Sequence, residues 1–319
     1  MPRLAHRYSI LPFLTAFVCS GMIGCGQTSV HCGSGEAIVF SEISKSAFGD
    51  SVNFVCADGS QYRPLLRPAG SRSFLFVNGR SLAYPLLITA HERISPGRTE
   101  DHLFYFSTER ASLVLVPGLV GLQARAALSS DGSLIAYEST GDQSAPLRLA
   151  VTSAKSGHTF LIPTATPKAD HFPTWSPDGK ELMFIRLEPA AGIELPTLMR
   201  VSIPPGDATV VFGPEELVAS AAYSPDGHRF AIWSRNGLEI VDRQTLNRRI
   251  ILQTSSLAPR TPGTAGLIWG GSSGTLAFTL YNNQTSASEL WTIRENGADA
   301  RPIFSVTDGM LYVGSYVRQ

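Results

Sequence analysis

Short apolar runs alternate along most of this chain with clusters of Gly, Pro, Asp, Asn and Ser. Residues 173–185, PTWSPDGKELMFI, show the pattern best. Phe172 and Trp175 stand before a Pro177-Asp178-Gly179 turn, and Leu182, Phe184 and Ile185 begin the next apolar run. Asp-Gly between two such runs predicts a β-hairpin, because Gly accepts positive φ and Asp tolerates it. Residues 51–57 and 61–66 form a similar pair around Asp58-Gly59. Period-two alternation and turn residues predict strands throughout. No stretch predicts a long amphipathic helix. Residues 214–220, PEELVAS, read as one short helical turn.

The hairpin recurs. Turn glycines Gly132, Gly179, Gly227 and Gly274 stand 47, 48 and 47 residues apart, each followed by an apolar strand. Going backwards, Gly79 and Gly35 keep phase at intervals of 53 and 44. Each unit has room for a third and a fourth strand, such as 197–202 and 209–212. Repeats of this length with four strands predict an all-β, six-bladed β-propeller of four-stranded blades. The two ends complement each other. The first unit, from Glu36, begins at its second strand, whereas residues 310–317, MLYVGSYV, are left over after the last. The C-terminal strand is therefore expected to complete the first blade and close the ring, which removes open edges.

Composition adds little to this. Residues are 43% hydrophobic and 16% charged, with 26 basic and 26 acidic side chains. That balance gives no electrostatic reason to expect nucleic acid as a partner. Residues 1–24 read as a signal peptide: Arg3 and Arg7 precede an apolar run too short to be a good spanning helix. The run ends in Met22-Ile23-Gly24-Cys25, which resembles a bacterial lipobox. That resemblance implies a lipid on Cys25, and Gly26 after it implies the outer rather than the inner membrane. The other reading is an ordinary signal peptide cleaved nearby. Residues 25–35 then form a tether, and 36–319 the propeller. Export implies an oxidising compartment, in which Cys32 and Cys56 either form a disulfide or remain two thiols.

The turns 173–179 (PTWSPDG) and 223–227 (YSPDG) resemble the TolB-like, or WD40-like, β-propeller repeat. At the level of repeats the resemblance covers residues 36–317. It is specific for fold and unspecific for function. In TolB itself an α/β domain precedes the propeller, which binds a peptidoglycan-associated lipoprotein. The tether is too short for that domain, so the expectation is a TolB-like lipoprotein lacking it. Related propellers precede the hydrolase domain of prolyl oligopeptidase-like enzymes, and others are lyases of oligogalacturonates that hold a metal through His residues.

Candidate chemistry is sparse. Residues 270–274, GGSSG, match G-x-S-x-G, but a nucleophile elbow needs a helix after the turn, and a strand follows here. Asp131, Asp178 and Asp226 recur one repeat apart, which predicts turn-stabilising carboxylates rather than a convergent site. The histidines show no metal-ligand spacing, and no cofactor motif is present. His171, at the entrance to an innermost strand, and Arg125 and Arg260 are candidates for binding on the channel face. Residues 89–101 and 187–196 read as the two longest polar loops. The leading expectation is a non-catalytic interaction module of the bacterial cell envelope, facing the periplasm and held to the membrane by its lipid. Its partner would be an envelope protein or a peptidoglycan-associated one. The alternative is a propeller enzyme, lyase or hydrolase, acting on a saccharide or peptide.

Overall fold

The computed structural model describes residues 32–33, 35–44, 50–79, 85–96, 98–119, 122–140, 146–164, 168–190, 193–270 and 274–318. The proposed lipidation site Cys25, the signal segment, most of the tether and the centre of the 270–274 match lie outside them.

The strands follow in groups. The first holds β1 (Glu36–Ser44), β2 (Ser51–Cys56) and β3 (Arg63–Leu66). Next come β4 (Arg72–Asn78), β5 (Leu86–Ser95), β6 (Arg98–Ser107) and β7 (Ser112–Leu115). The third group is β8 (Leu122–Leu128), β9 (Leu134–Thr140), β10 (Arg148–Ser153) and β11 (Thr159–Leu161). The fourth is β12 (Asp170–Trp175), β13 (Glu181–Ala190), β14 (Ile193–Ser202) and β15 (Thr209–Phe212). The fifth is β16 (Ser220–Tyr223), β17 (Arg229–Ser234), β18 (Gly237–Asp242) and β19 (Arg248–Gln253). The sixth is β20 (Arg260–Trp269), β21 (Thr275–Asn282), β22 (Ala287–Arg294) and β23 (Arg301–Val306). Last comes β24 (Gly309–Arg318), which pairs with β1 and makes the first sheet β24-β1-β2-β3. The result is a six-bladed propeller of four-stranded antiparallel blades, closed by its C-terminal strand. A single 3₁₀ turn, Pro214–Glu216, occupies the stretch read as helical.

The core lies between blades. Successive residues of a strand point to opposite faces, and both faces of each blade are covered. In β1, Val39 packs against Phe74, Leu86 and Phe104 of the second blade, whereas Ile38 and Phe40 pack against Ala277 and Leu290 of the sixth. Six such clusters fill the six gaps. Double-sided burial explains why the second strands read as nearly unbroken apolar runs. The aromatic residue before each clear turn reaches back to the previous blade. Trp175 Nε1 donates to the Ala127 carbonyl at 3.0 Å, and the Tyr223 hydroxyl bonds Glu181. Burial and that carboxylate push the Tyr223 phenol well up.

The repeated turns are built alike. Ser129, Ser176 and Ser224 donate to Asp131, Asp178 and Asp226 at 2.7, 2.6 and 2.6 Å. The same carboxylates accept the N–H groups of Ser133, Lys180 and His228. These hydrogen bonds hold Asp131 down at about 2, and they depress Asp178 and Asp226 as well. A disulfide joins Cys32 to Cys56, with Cα atoms 5.4 Å apart, and ties the chain before β1 to the end of β2.

The polar stretches 89–101 and 187–196 are not loops. β5 and β6 remain paired out to Ser95 and Arg98, and β13 and β14 out to Ala190 and Ile193. Their residues are polar because these strand extensions run beyond the core, with cross-strand partners such as His91 and Asp101.

Candidate functional site

In every blade the innermost strand pairs within its sheet on one edge only. The six free edges surround a central channel of about 1360 Å³, lined by parts of β4, β8, β12, β16, β20 and β24. Chain order gives the ring two distinct ends. One end carries the starts of the innermost strands together with the hairpins between second and third strands. The other carries the Asp-Gly turns. The long β5–β6 and β13–β14 hairpins are therefore on the same end as His171.

Five of the six innermost strands carry a bulge or register shift against the second strand. In β8 it falls between Ala124 and Ala127, and Arg125 has a φ of 33°. In β12 it falls between His171 and Thr174, and Phe172 has a φ of 56°. Bulges re-aim side chains. A non-glycine residue in the left-handed region carries strain of about 1–3 kcal/mol, held by its surroundings. Here both bulges deliver side chains to one place. The Arg125 guanidinium lies 5.0 Å from the centre of the Phe76 ring and 4.5 Å from that of Phe172. Tyr312 packs edge-on against Phe76 at 5.3 Å. Two aromatic rings from neighbouring innermost strands thus flank the Arg125 cation, and Tyr312 of a fourth backs one of them. Such contacts are worth about 0.5–2 kcal/mol each.

Glu138 organises the box from behind. It is completely buried on β9. Oε1 accepts the backbone N–H of Phe172 at 3.1 Å, while Oε2 lies 3.4 Å from Arg125 Nη1 and 3.3 Å from His171 Nδ1. His171 Nδ1 is buried, and its contact with Glu138 lacks hydrogen-bond geometry. Next to it Asp170 forms a bidentate pair with Arg186, at 2.7 and 3.0 Å. Burial pushes the Asp170 carboxyl up against the pull of Arg186. Among the described channel-lining residues Arg125 is the one cation and Asp131 the one anion, and Asp131 is occupied by its own turn.

Of the residues singled out from sequence, the structure brings His171 and Arg125 together through Glu138. Arg260 belongs to a separate cluster: its Nε lies 2.7 Å from Glu289 and its guanidinium stacks on Trp291 at 5.1 Å. Asn282 and the Trp291 indole also donate to Glu289. Glu138 and the aromatic box were missed. The signal for Glu138 was one acidic residue directly after the apolar run LIAY of a second strand, LIAYEST. Among the described residues no group of three or more His, Cys, Asp or Glu side chains is placed to hold a metal ion. No described helix is long and apolar enough to cross a membrane.

No protein-family model matches the sequence, and no curated protein matches it either. Solved structures do match the fold. TolB from Acinetobacter baumannii superposes with a TM-score of 0.70 at 13% identity, over 91% of this chain and 68% of that one. A protein of Agrobacterium tumefaciens assigned as TolB gives 0.61 at 15%, over 89% and 99%. A chain of a nidogen/laminin complex gives 0.62 at 10%, over 88% and 97%. In fold, this chain is a TolB-like six-bladed β-propeller.

Proposed function

We propose that this protein is a non-catalytic interaction module of the bacterial cell envelope that engages a protein partner through its channel face. The carrying observation is the shape of the site: an arginine in an aromatic box, opening into a channel ringed by free strand edges. Aromatic and Arg side chains are the residues most enriched at protein contacts. The nidogen/laminin neighbour, a propeller chain from a protein complex, supports the same reading. The partner is an envelope or peptidoglycan-associated protein. Cys25 carries a lipid that holds the propeller to the outer membrane, facing the periplasm.

The test is a pull-down from detergent-solubilised envelope with the lipidated protein as bait. A stoichiometric envelope protein, lost when the segments entering β8 and β12 are exchanged, is the expected result. A bait that captures nothing while the purified protein cleaves or eliminates a saccharide or peptide would transfer the case to the enzyme reading. Mass spectrometry of the N-terminal peptide checks the anchor: acyl groups on Cys25 are expected, and an unmodified N-terminus at another residue would refute it.

A further inference from the structure

We propose that Arg125 is an anion-recognition point inside the channel, and that it receives a carboxylate side chain on an extended peptide segment of the partner. The inference rests on the interaction-module reading and supplies its chemistry.

The arginine is positioned but underused. A guanidinium has five N–H donors. Arg125 spends one on Glu138, over a long 3.4 Å contact, and its buried Nε has no hydrogen-bond partner. Glu138 cannot serve it better, because the same carboxylate also holds the Phe172 N–H and faces His171. Glu138 is wholly buried, so what this part of the channel presents is the cation. The rings of Phe76 and Phe172 lie 5.0 and 4.5 Å from the guanidinium carbon and Nε is buried, so what is left to a ligand is the edge formed by the terminal nitrogens. That edge is the geometry in which a carboxylate binds through two parallel hydrogen bonds. The bulges in β8 and β12, with positive φ at Arg125 and Phe172, hold both sides of the box without help from a ligand.

The bearer of the carboxylate follows from the walls. The innermost strands present to the channel six edges without a strand partner, on which the Ala127 carbonyl and the Leu128 and Phe172 N–H groups are already taken by side chains. Such edges accept an extended peptide by main-chain pairing, and neighbouring side-chain sites then give specificity. A sugar acid would satisfy Arg125 but would make no such use of the edges.

The experiment titrates the full-length protein with an acetylated, amidated tripeptide bearing a central glutamate, and with its central-glutamine counterpart. Galacturonate is the third probe. Calorimetry reads affinity, and the arginine side-chain N–H resonances report contact at Arg125. The glutamate peptide is expected to bind roughly tenfold or more tightly than the glutamine peptide, the difference a charge-assisted pair provides. It should also move a resonance that Arg125→Met removes. Arg125→Met should abolish the preference, and Arg260→Met, in the separate Glu289 cluster, should keep it. If Arg125→Met does not fold, Arg125→Lys keeps the charge without the fork and should reduce the preference. Equal binding of the two peptides, or a preference that survives replacement of Arg125, overturns the proposal. So does tighter binding of galacturonate than of the peptide. A partner captured from the envelope with equal affinity by wild type and Arg125→Met overturns this inference alone and leaves the interaction module standing.

Discussion

Deleting residues 309–319 removes β24 and with it the inner strand of the first blade. The loss can be estimated from the structure. β24 pairs with β1 from Glu36↔Arg318 to Ser44↔Gly309. It buries Leu311, Val313 and Val317, at 1%, 9% and 1% exposure. At about 1.5–3 kcal/mol per buried side chain, these three contribute roughly 5–9 kcal/mol. That is comparable to the whole stability of an ordinary domain, about 5–15 kcal/mol. The deletion also bares the buried edge of β1, a template for aggregation. The assay is size-exclusion chromatography followed by thermal unfolding. Aggregated or unfolded protein is expected. A soluble monomer with an unchanged Tm would refute the closure. A finer variant makes the same point. Gly314 sits where an added Cβ would overlap the Val77 carbonyl of the second blade. Gly314→Ala should therefore cost about 1–3 kcal/mol through overpacking.

Reducing the Cys32–Cys56 disulfide, or replacing Cys56 by Ser, frees a loop with a sequence separation of 24 and should cost about 3 kcal/mol, read as a lowered urea midpoint. The turn carboxylates predict a pH dependence. A carboxylate depressed in the fold stabilises it above its unfolded pKa, near 4, and loses that contribution as pH falls through the folded value, about 2 for Asp131. The gap in urea midpoint between wild type and the Asp131→Asn, Asp178→Asn, Asp226→Asn variant should thus be full at neutral pH and shrink between about pH 4 and pH 2; a gap that grows on acidification would contradict this. Asp170→Asn leaves Arg186 buried at 8% exposure without its counter-charge, so a loss of about 3–5 kcal/mol is expected in chemical denaturation.

The repeats were legible because three successive blades close their first hairpin with the same Ser-x-Asp-Gly chemistry at Ser129, Ser176 and Ser224, and a backbone requirement leaves a residue signature. Ring closure was legible as a strand missing at Glu36 and a spare one at Met310. The hairpin extensions were not. A strand that leaves the core loses its apolar face, so His91, Glu92 and Arg93 look like loop residues although they are paired. The site was half legible. His171 stood at the entrance of an innermost strand, and Arg125 was a candidate for the channel face. What joins them is a buried glutamate one strand back and two bulges at non-glycine residues, Arg125 and Phe172, which carry no turn signature. Arg260 was a candidate for the same face, and Glu289 claims it instead.

The central claim is that the channel face is where this protein meets its partner. The most direct measurement is in-cell photocrosslinking in the native host, with a photoreactive phenylalanine analogue at Phe172 in the channel and, in parallel, at Val210 on the outer strand β15. Val210 is 60% exposed, so the outer probe is as free to react as any. The account predicts an adduct with one envelope protein from position 172 and none from position 210. The reverse pattern, an adduct from the outer strand with the channel probe silent, would contradict it.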